Sequence, residues 1–151
     1  MAKPIFVLNG PNLNMLGTRE PATYGSTSLA GIEELCRQTA EGLGLSVDFR
    51  QTNHEGVLVD WIQEAGHASS GVVLNPGAYG HTSIAMHDAI RAVAPLRVVE
   101  VHLSNIHARE SFRHTTKIAP VAAGVICGFG PQGYAMALHA FASPSEGAGK
   151  Q

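Results

Sequence analysis

The stretch IFVLNGPNLNMLG at 5 to 17 decides how the rest of the chain is read. Four apolar residues, Ile5 to Leu8, run into a polar cluster, Asn9 to Asn14, and the same design recurs twice. Val72 to Leu74 leads into Asn75 to Ser83, and the run Val98 to Val101 leads into His102 to Arg113. Three polar clusters that each follow a short hydrophobic run point to one active site built on strand ends. Between the first cluster and the first helix lies a short loop with a cation, Arg19, and a phenol, Tyr24, flanked by Gly17, Pro21 and Gly25. That makeup suits a mobile catalytic lid.

Working outward, short β-branched runs predict strands at about 4 to 9, 45 to 50, 71 to 75, 97 to 101 and 124 to 127, with helical periodicity between most of them. The first helix is expected over about 28 to 43, with Leu29, Ile32, Leu35, Cys36 and Leu43 on one stripe, Thr27 or Ser28 as N-cap and Gly42 or Gly44 as stop. A second, about 54 to 67, turns Leu58, Trp61, Ile62 and Ala65 inward. A third starts near Thr82 and runs to Val93, before Pro95, and a last one starts at Pro131 and ends near Ala142. Strands alternating with helices form a parallel sheet, here an α/β, doubly wound, flavodoxin-like arrangement of five strands in the order 2-1-3-4-5. That order opens a crevice at the carboxyl ends of strands 1 and 3, with strand 4 beside it, so all three polar clusters meet there. One catalytic domain over 1–142 is expected, followed by a disordered tail at 143–151.

The 151 residues fall in the range of a single domain able to bury a sizeable core. An apolar fraction of 44% with 15% charged residues suits a globular protein, and a net charge of −2 gives no general attraction for nucleic acid or an anionic membrane. The expected partner is a small molecule. Cys36 and Cys127 are too few for a disulfide framework. The opening Met1 to Pro4 runs into a four-residue apolar stretch, shorter than the apolar region of a secretion signal, and no segment reaches membrane-spanning length. A cytoplasmic protein is expected.

Glu100 and His102 are two apart on strand 4, so their side chains leave one face, and a carboxylate there orients the imidazole and favours its protonated form. Position beside the crevice makes His102 a candidate general acid; taken alone, a histidine at a strand end is more often simply hydrogen-bonded in place. Tyr24 serves as a base only when ionised, and lowering its pKa from about 10 to near 7 takes roughly 4 kcal/mol. A guanidinium about 4 Å away, at an effective dielectric near 20, supplies about that much, and Arg19 or Arg113 could be its source. A loop tyrosine packing its ring on the surface is the alternative, and composition does not decide between them. Asn9, Asn12, Asn14 and Asn75 bring neutral amides that can hold a water or an oxyanion, although Asn9-Gly10 and Asn75-Pro76 are also strong turn dipeptides. Arg109 and Arg113, four apart on one side of a helical turn, could bind an anion or a polyol, or could simply be a solvated basic face.

Two motifs are set aside. Gly128-x-Gly130-x-x-Gly133 matches the dinucleotide fingerprint but follows the last strand instead of the first, with no later strand to carry an acidic ribose ligand. The histidine spacings His81/His87 and His102/His107 do not stack ligands on one helical face, and no HExxH occurs, so no metal is expected.

Taken together, LNGPNLNMLGTREPATYG at 8 to 25, LNPGAYGHTS at 74 to 83, EVHLSNIHARESFR at 100 to 113 and GFGPQGY at 128 to 134 closely resemble the type II 3-dehydroquinate dehydratases (3-dehydroquinases), over about residues 4 to 141. The resemblance implies a lyase that dehydrates 3-dehydroquinate to 3-dehydroshikimate through an enolate, without a cofactor, in the shikimate pathway of aromatic amino acid biosynthesis or in quinate catabolism. It further implies that Tyr24 is the base, that Arg19 lowers its pKa, that Asn12 holds a water against the enolate oxygen, and that His102, oriented by Glu100, protonates the departing hydroxyl. Asn75, His81 and Arg113 would bind ring hydroxyls, and Leu103 and Ser104 the substrate carboxylate. A homododecamer, a tetramer of trimers, is implied too, with Asp88 reaching into a neighbouring site. The lysine inventory agrees with this route: Lys3, Lys117 and Lys150 all lie outside the crevice blocks, whereas an imine mechanism needs a desolvated lysine there.

Four positions depart from the family pattern. Gly80 stands where threonine is common, His87 where arginine usually precedes the aspartate, and Thr116 and Ala119 replace frequent serines. Gly80, as a weak helix-start residue, puts the geometry around Asp88 in question. Two alternatives belong to other classes: a flavodoxin-like module that holds a flavin at the same switch point, and an oligomeric scaffold without turnover.

Overall fold

The computed structural model describes residues 2–17 and 27–142. The loop with Arg19 and Tyr24, with its expected role as a lid, and the tail at 143–151 lie outside the described residues. Five parallel strands, β1 (Ile5–Asn9), β2 (Val47–Gln51), β3 (Gly71–Asn75), β4 (Val98–His102) and β5 (Gly124–Cys127), form one sheet in the order β2-β1-β3-β4-β5. Among the described residues there are four α-helices, α1 (Leu29–Gly42), α2 (Glu55–Ala68), α3 (Ile84–Ala92) and α4 (Gln132–Ala142).

Strands β1, β3 and β4 are buried along their whole length, which is why their sequences read as hydrophobic runs rather than as alternation. Period-two geometry then divides each strand between two cores. Ile5, Val7, Val73 and Val101 pack with Ile32 and Cys36 of α1 and with Ala137 and Leu138 of α4. Phe6, Leu8, Val72 and Leu74 pack on the other face with Leu58 and Ile62 of α2 and Met86 and Ile90 of α3. Burial pushes the Cys36 thiol up to about 12, so it stays protonated and acts as a small hydrophobe.

Local signals fix the helix ends. Ser28 is the cap of α1, its Oγ accepting from the Gly31 N–H at 3.1 Å. At the other end Gly44 has φ +72, with Leu45 N–H on the Ala40 carbonyl at 2.8 Å and Gly44 N–H on that of Glu41 at 3.2 Å, the paired bonds of a Schellman stop. The third helix begins at Ile84, two residues beyond the expected start near Thr82. Residues Gly77–His81 form a 3-10 turn, and α3 starts at Ile84 because Ser83 Oγ accepts from the Met86 N–H at 3.0 Å. Gly80 is therefore not a helix-start residue. It is buried in the turn, where a Cβ would come within 2.7 Å of Pro76 Cγ.

Among the described residues no helix is long and apolar enough to cross a membrane.

Candidate active site

The crevice opens where the sheet order predicts it, beyond the carboxyl ends of β1, β3 and β4. From the first cluster come Pro11, Asn12, Leu13 and Leu16; from the second, Asn75, Gly77, Ala78 and His81; from the third, His102, Leu103, Ser104, Ile106, Arg109 and Arg113. Of the residues singled out in the sequence, Asn12, Asn75, His81, His102, Leu103, Ser104 and Arg113 therefore meet in one pocket. Glu100 sits behind His102. Asp88 is exposed on α3 and does not line this pocket, while Arg19 and Tyr24 lie outside the described residues.

Glu100 and His102 share a face of β4, and the structure joins them: His102 Nε2 is 2.5 Å from Glu100 Oε2. Glu100 is fully buried and His102 nearly so. The other carboxylate oxygen accepts the Thr116 hydroxyl at 3.1 Å, and Thr116 Oγ1 in turn accepts the Ala119 N–H at 2.8 Å. Both oxygens of a buried carboxylate thus have partners, as burial of a charge requires. With Nε2 committed to Glu100, Nδ1 is the ring nitrogen left to exchange a proton, and His102 lines the pocket.

His81 lies against His102, ring centroids 5.8 Å apart and planes inclined by 23°. Its Nδ1 is 2.8 Å from the Thr115 carbonyl, which can only accept, so Nδ1 carries a proton and Nε2 is an acceptor in the neutral ring. Burial holds the His81 pKa below the ordinary imidazole value, against the Thr115 carbonyl, which pushes it up. His81 therefore offers a lone pair to a donor, whereas Arg113 offers only N–H groups.

Asn12 occupies the left-handed region at φ 69, which suits asparagine. Its N–H donates to Asn53 Oδ1 at 3.0 Å, and Gln51 Nε2 donates to the Gly10 carbonyl at 3.1 Å, so residues at the end of β2 hold the first cluster in place. Sequence reading passed over Gln51 and Asn53 because nothing local marks them; only the pairing of β1 with β2 brings them near.

Arg109 and Arg113 both line the pocket, but not as neighbours on one helical turn. Ile106–Ala108 and Ser111–Arg113 are separate 3-10 turns, and Glu110 between them bonds Arg113 Nε at 2.8 Å and lies 3.7 Å from Arg109 Nε. Arg109 NH1 also donates to Ser104 Oγ at 3.3 Å. The Gly128/Gly130/Gly133 motif has a structural use. Gly128 and Gly130 both adopt positive φ, and their N–H groups donate to the carbonyls of His102 at 3.3 Å and Leu103 at 2.9 Å, anchoring the end of β4.

The pocket holds an imidazole with a buried carboxylate, neutral amides and two guanidiniums, a set suited to acid–base chemistry on a polyhydroxylated anion. A model of the family described as dehydroquinase class II matches residues 3–142. The chain belongs to the class II dehydroquinases. Among its relatives, the 3-dehydroquinate dehydratase of Chelativorans sp. (strain BNC1) is 69% identical over 143 residues, covering 95% of this chain and 99% of that one. Crystal structures of type II dehydroquinases superpose closely. That from Butyrivibrio crossotus gives a TM-score of 0.91 at 41% identity, covering 94% of this chain and 99% of its own. That from Propionibacterium acnes gives 0.90 at 42%, covering 95% and 99%. The resemblance read from the four sequence blocks thus extends to the whole dehydroquinase fold, including the five-stranded order.

Proposed function

We propose that this chain dehydrates 3-dehydroquinate to 3-dehydroshikimate through an enolate, the reaction of its class II relatives. A proton leaves the carbon next to the ketone, and the enolate then expels the β-hydroxyl, which takes a proton and departs as water. In this reading Tyr24 removes the proton, with Arg19 lowering its pKa, and Asn12 holds a water against the enolate oxygen. His102 gives its proton to the leaving hydroxyl, and Glu100 orients the ring and balances the imidazolium. Asn75, His81 and Arg113 bind ring hydroxyls, while Leu103 and Ser104 receive the carboxylate. The observation that carries the reading is the buried Glu100–His102 pair at the switch point of the sheet, where His102 lines a pocket together with neutral amides and guanidiniums.

No lysine lines the pocket among the described residues, in keeping with a route that forms no imine. We further place the enzyme in the cytoplasm and assign it a homododecamer made of four trimers, in which Asp88 contributes to a neighbouring site. Exposed Ile84, one helical turn before Asp88, and exposed Phe129, beyond the edge strand β5, support such contacts.

Mixing the protein with 3-dehydroquinate and following the ultraviolet absorbance of the conjugated enone tests the assignment. A rapid rise that Tyr24→Phe abolishes is expected. A rise unchanged in Tyr24→Phe would overturn the base, and no rise from folded protein would overturn the function. Borohydride added with substrate should leave the protein unmodified; a trapped adduct would contradict the enolate route.

A further inference from the structure

Tyr134 of α4 is wholly buried, yet no step of the mechanism uses it. Its hydroxyl lies under the crevice between the ends of β1 and β3, where Asn9 and Asn75 stand side by side in register. The hydroxyl is 2.7 Å from Asn9 Oδ1 and 2.8 Å from Asn75 Nδ2.

The direction of each bond is fixed by backbone groups that have one role only. Asn9 places its other terminal atom 3.0 Å from the Arg50 carbonyl, which can only accept, so that atom is Nδ2 and the atom facing Tyr134 is Oδ1. Asn75 places its other terminal atom 3.2 Å from the Gly77 N–H, which can only donate, so that atom is Oδ1 and Nδ2 faces Tyr134. The phenol must therefore donate to Asn9 and accept from Asn75. Burial holds its pKa above the ordinary phenol value, so it remains a hydroxyl able to do both. One N–H of Asn75 is used in this chain, and one remains for the pocket that Asn75 lines.

We propose that Tyr134 is a positioning residue that locks the Asn75 amide as a hydrogen-bond donor to a hydroxyl oxygen of the bound substrate. The inference rests on the reading of Asn75 as a substrate ligand and adds what sets its polarity. Without the phenol, the amide loses the partner that holds its plane, and Asn9 Oδ1 is left buried without its donor. With the phenol in place Asn75 and His81 divide the work, one donating a hydrogen bond to the ligand and the other accepting one.

The test is a cycle of Tyr134→Phe, Asn75→Ala and the double variant, with kcat and KM for 3-dehydroquinate measured separately and thermal unfolding recorded for each. Tyr134→Phe should raise KM about tenfold, the loss of one well-placed hydrogen bond, with a smaller change in kcat. The double variant should have the KM of Asn75→Ala alone, because Tyr134 acts through Asn75. An unchanged KM in folded Tyr134→Phe, or effects that multiply in the double variant, would overturn the proposal. Should Tyr134→Phe fail to fold, Asn75→Asp decides, since it keeps the volume but has no N–H. A KM raised to that of Asn75→Ala supports the donor role, and a wild-type KM refutes it. Absence of turnover in the wild-type protein would strike the functional reading itself and is thereby told apart.

Discussion

His81 shows how one side chain acquires its chemical role from its surroundings. Its Nδ1 is spoken for by the Thr115 carbonyl, its ring lies on that of His102, and Arg113 and Glu100 act on it from beside the pocket. Burial is the largest influence, and His102 and Arg113 add to it, so the pKa in the folded state lies below 6.5. Between that lowered value and 6.5 the unfolded chain binds more protons than the native one, so stability rises with pH there and is lost as pH falls. Above 6.5 the group contributes nothing to the pH dependence. An NMR titration of the His81 ring should give a midpoint under 6.5, and one at or above it would contradict the assignment. The sequence could suggest His81 only through its place in a polar cluster; which nitrogen is free depends on Thr115, thirty-four residues away.

At the scale of elements, the crevice depends on how closely the turn after β1 approaches the turn after β3. Gly10 N–H donates to the Asn75 carbonyl at 2.8 Å, and a Cβ on Gly10 would stand 2.5 Å from the Pro76 carbonyl oxygen. Backbone cannot yield there as the tip of a flexible side chain would. Gly10→Ala should therefore destabilise the protein by more than the ~1 kcal/mol typical of a point substitution and reduce turnover by displacing Asn75. Urea unfolding and the enone assay together check this; a variant with wild-type stability and rate would show that the approach is not needed. The Asn9-Gly10 dipeptide announced a turn, but not that its glycine is demanded by a neighbouring strand. The displaced start of α3 has a similar cause. Periodicity allowed a helix from Thr82, but Gly77 at φ +58 turns the backbone into a 3-10 segment and Ser83 supplies the cap. Arg50 illustrates the reverse case, a residue without any sequence signal that the fold uses fully. Its guanidinium bonds Asp48 and Glu64 at 2.9 Å and lies over the Phe6 ring at 4.4 Å, pinning β2 to α2.

For the whole molecule, β2 and β5 are the two edges of the sheet, unpaired on their outer sides among the described residues, and β5 is the more exposed. Soluble proteins seldom leave such an edge uncovered, and Phe129 at 61% and Ile84 at 62% exposure add apolar surface. We expect light scattering after size exclusion to give a mass near twelve times the 15.9 kDa of one chain. A stable monomer would refute the assembly. Glu substitutions at Ile84 and Phe129 should shift the mass downward while leaving the fold of each subunit intact.

Strand and helix identities, the sheet order and the three polar clusters were all determined by the sequence itself. Hydrophobic runs of the central strands, capping serines and the Gly44 stop act within a few residues, and right-handed packing of a parallel sheet leaves few arrangements open. The pairing of Glu100 with His102 was legible for the same reason, because period two puts both on one face. Tertiary structure alone decided the rest: the Thr116 bond to Glu100, the grip of Gln51 and Asn53 on the first cluster, the separate turns of Arg109 and Arg113, and the Asn9–Tyr134–Asn75 chain. Except for the two arginine turns, which are local but unannounced by periodicity, each of these joins residues far apart in sequence, and a hydrogen bond between such groups is specified by where the packed elements bring them, not by any pattern the neighbouring residues carry.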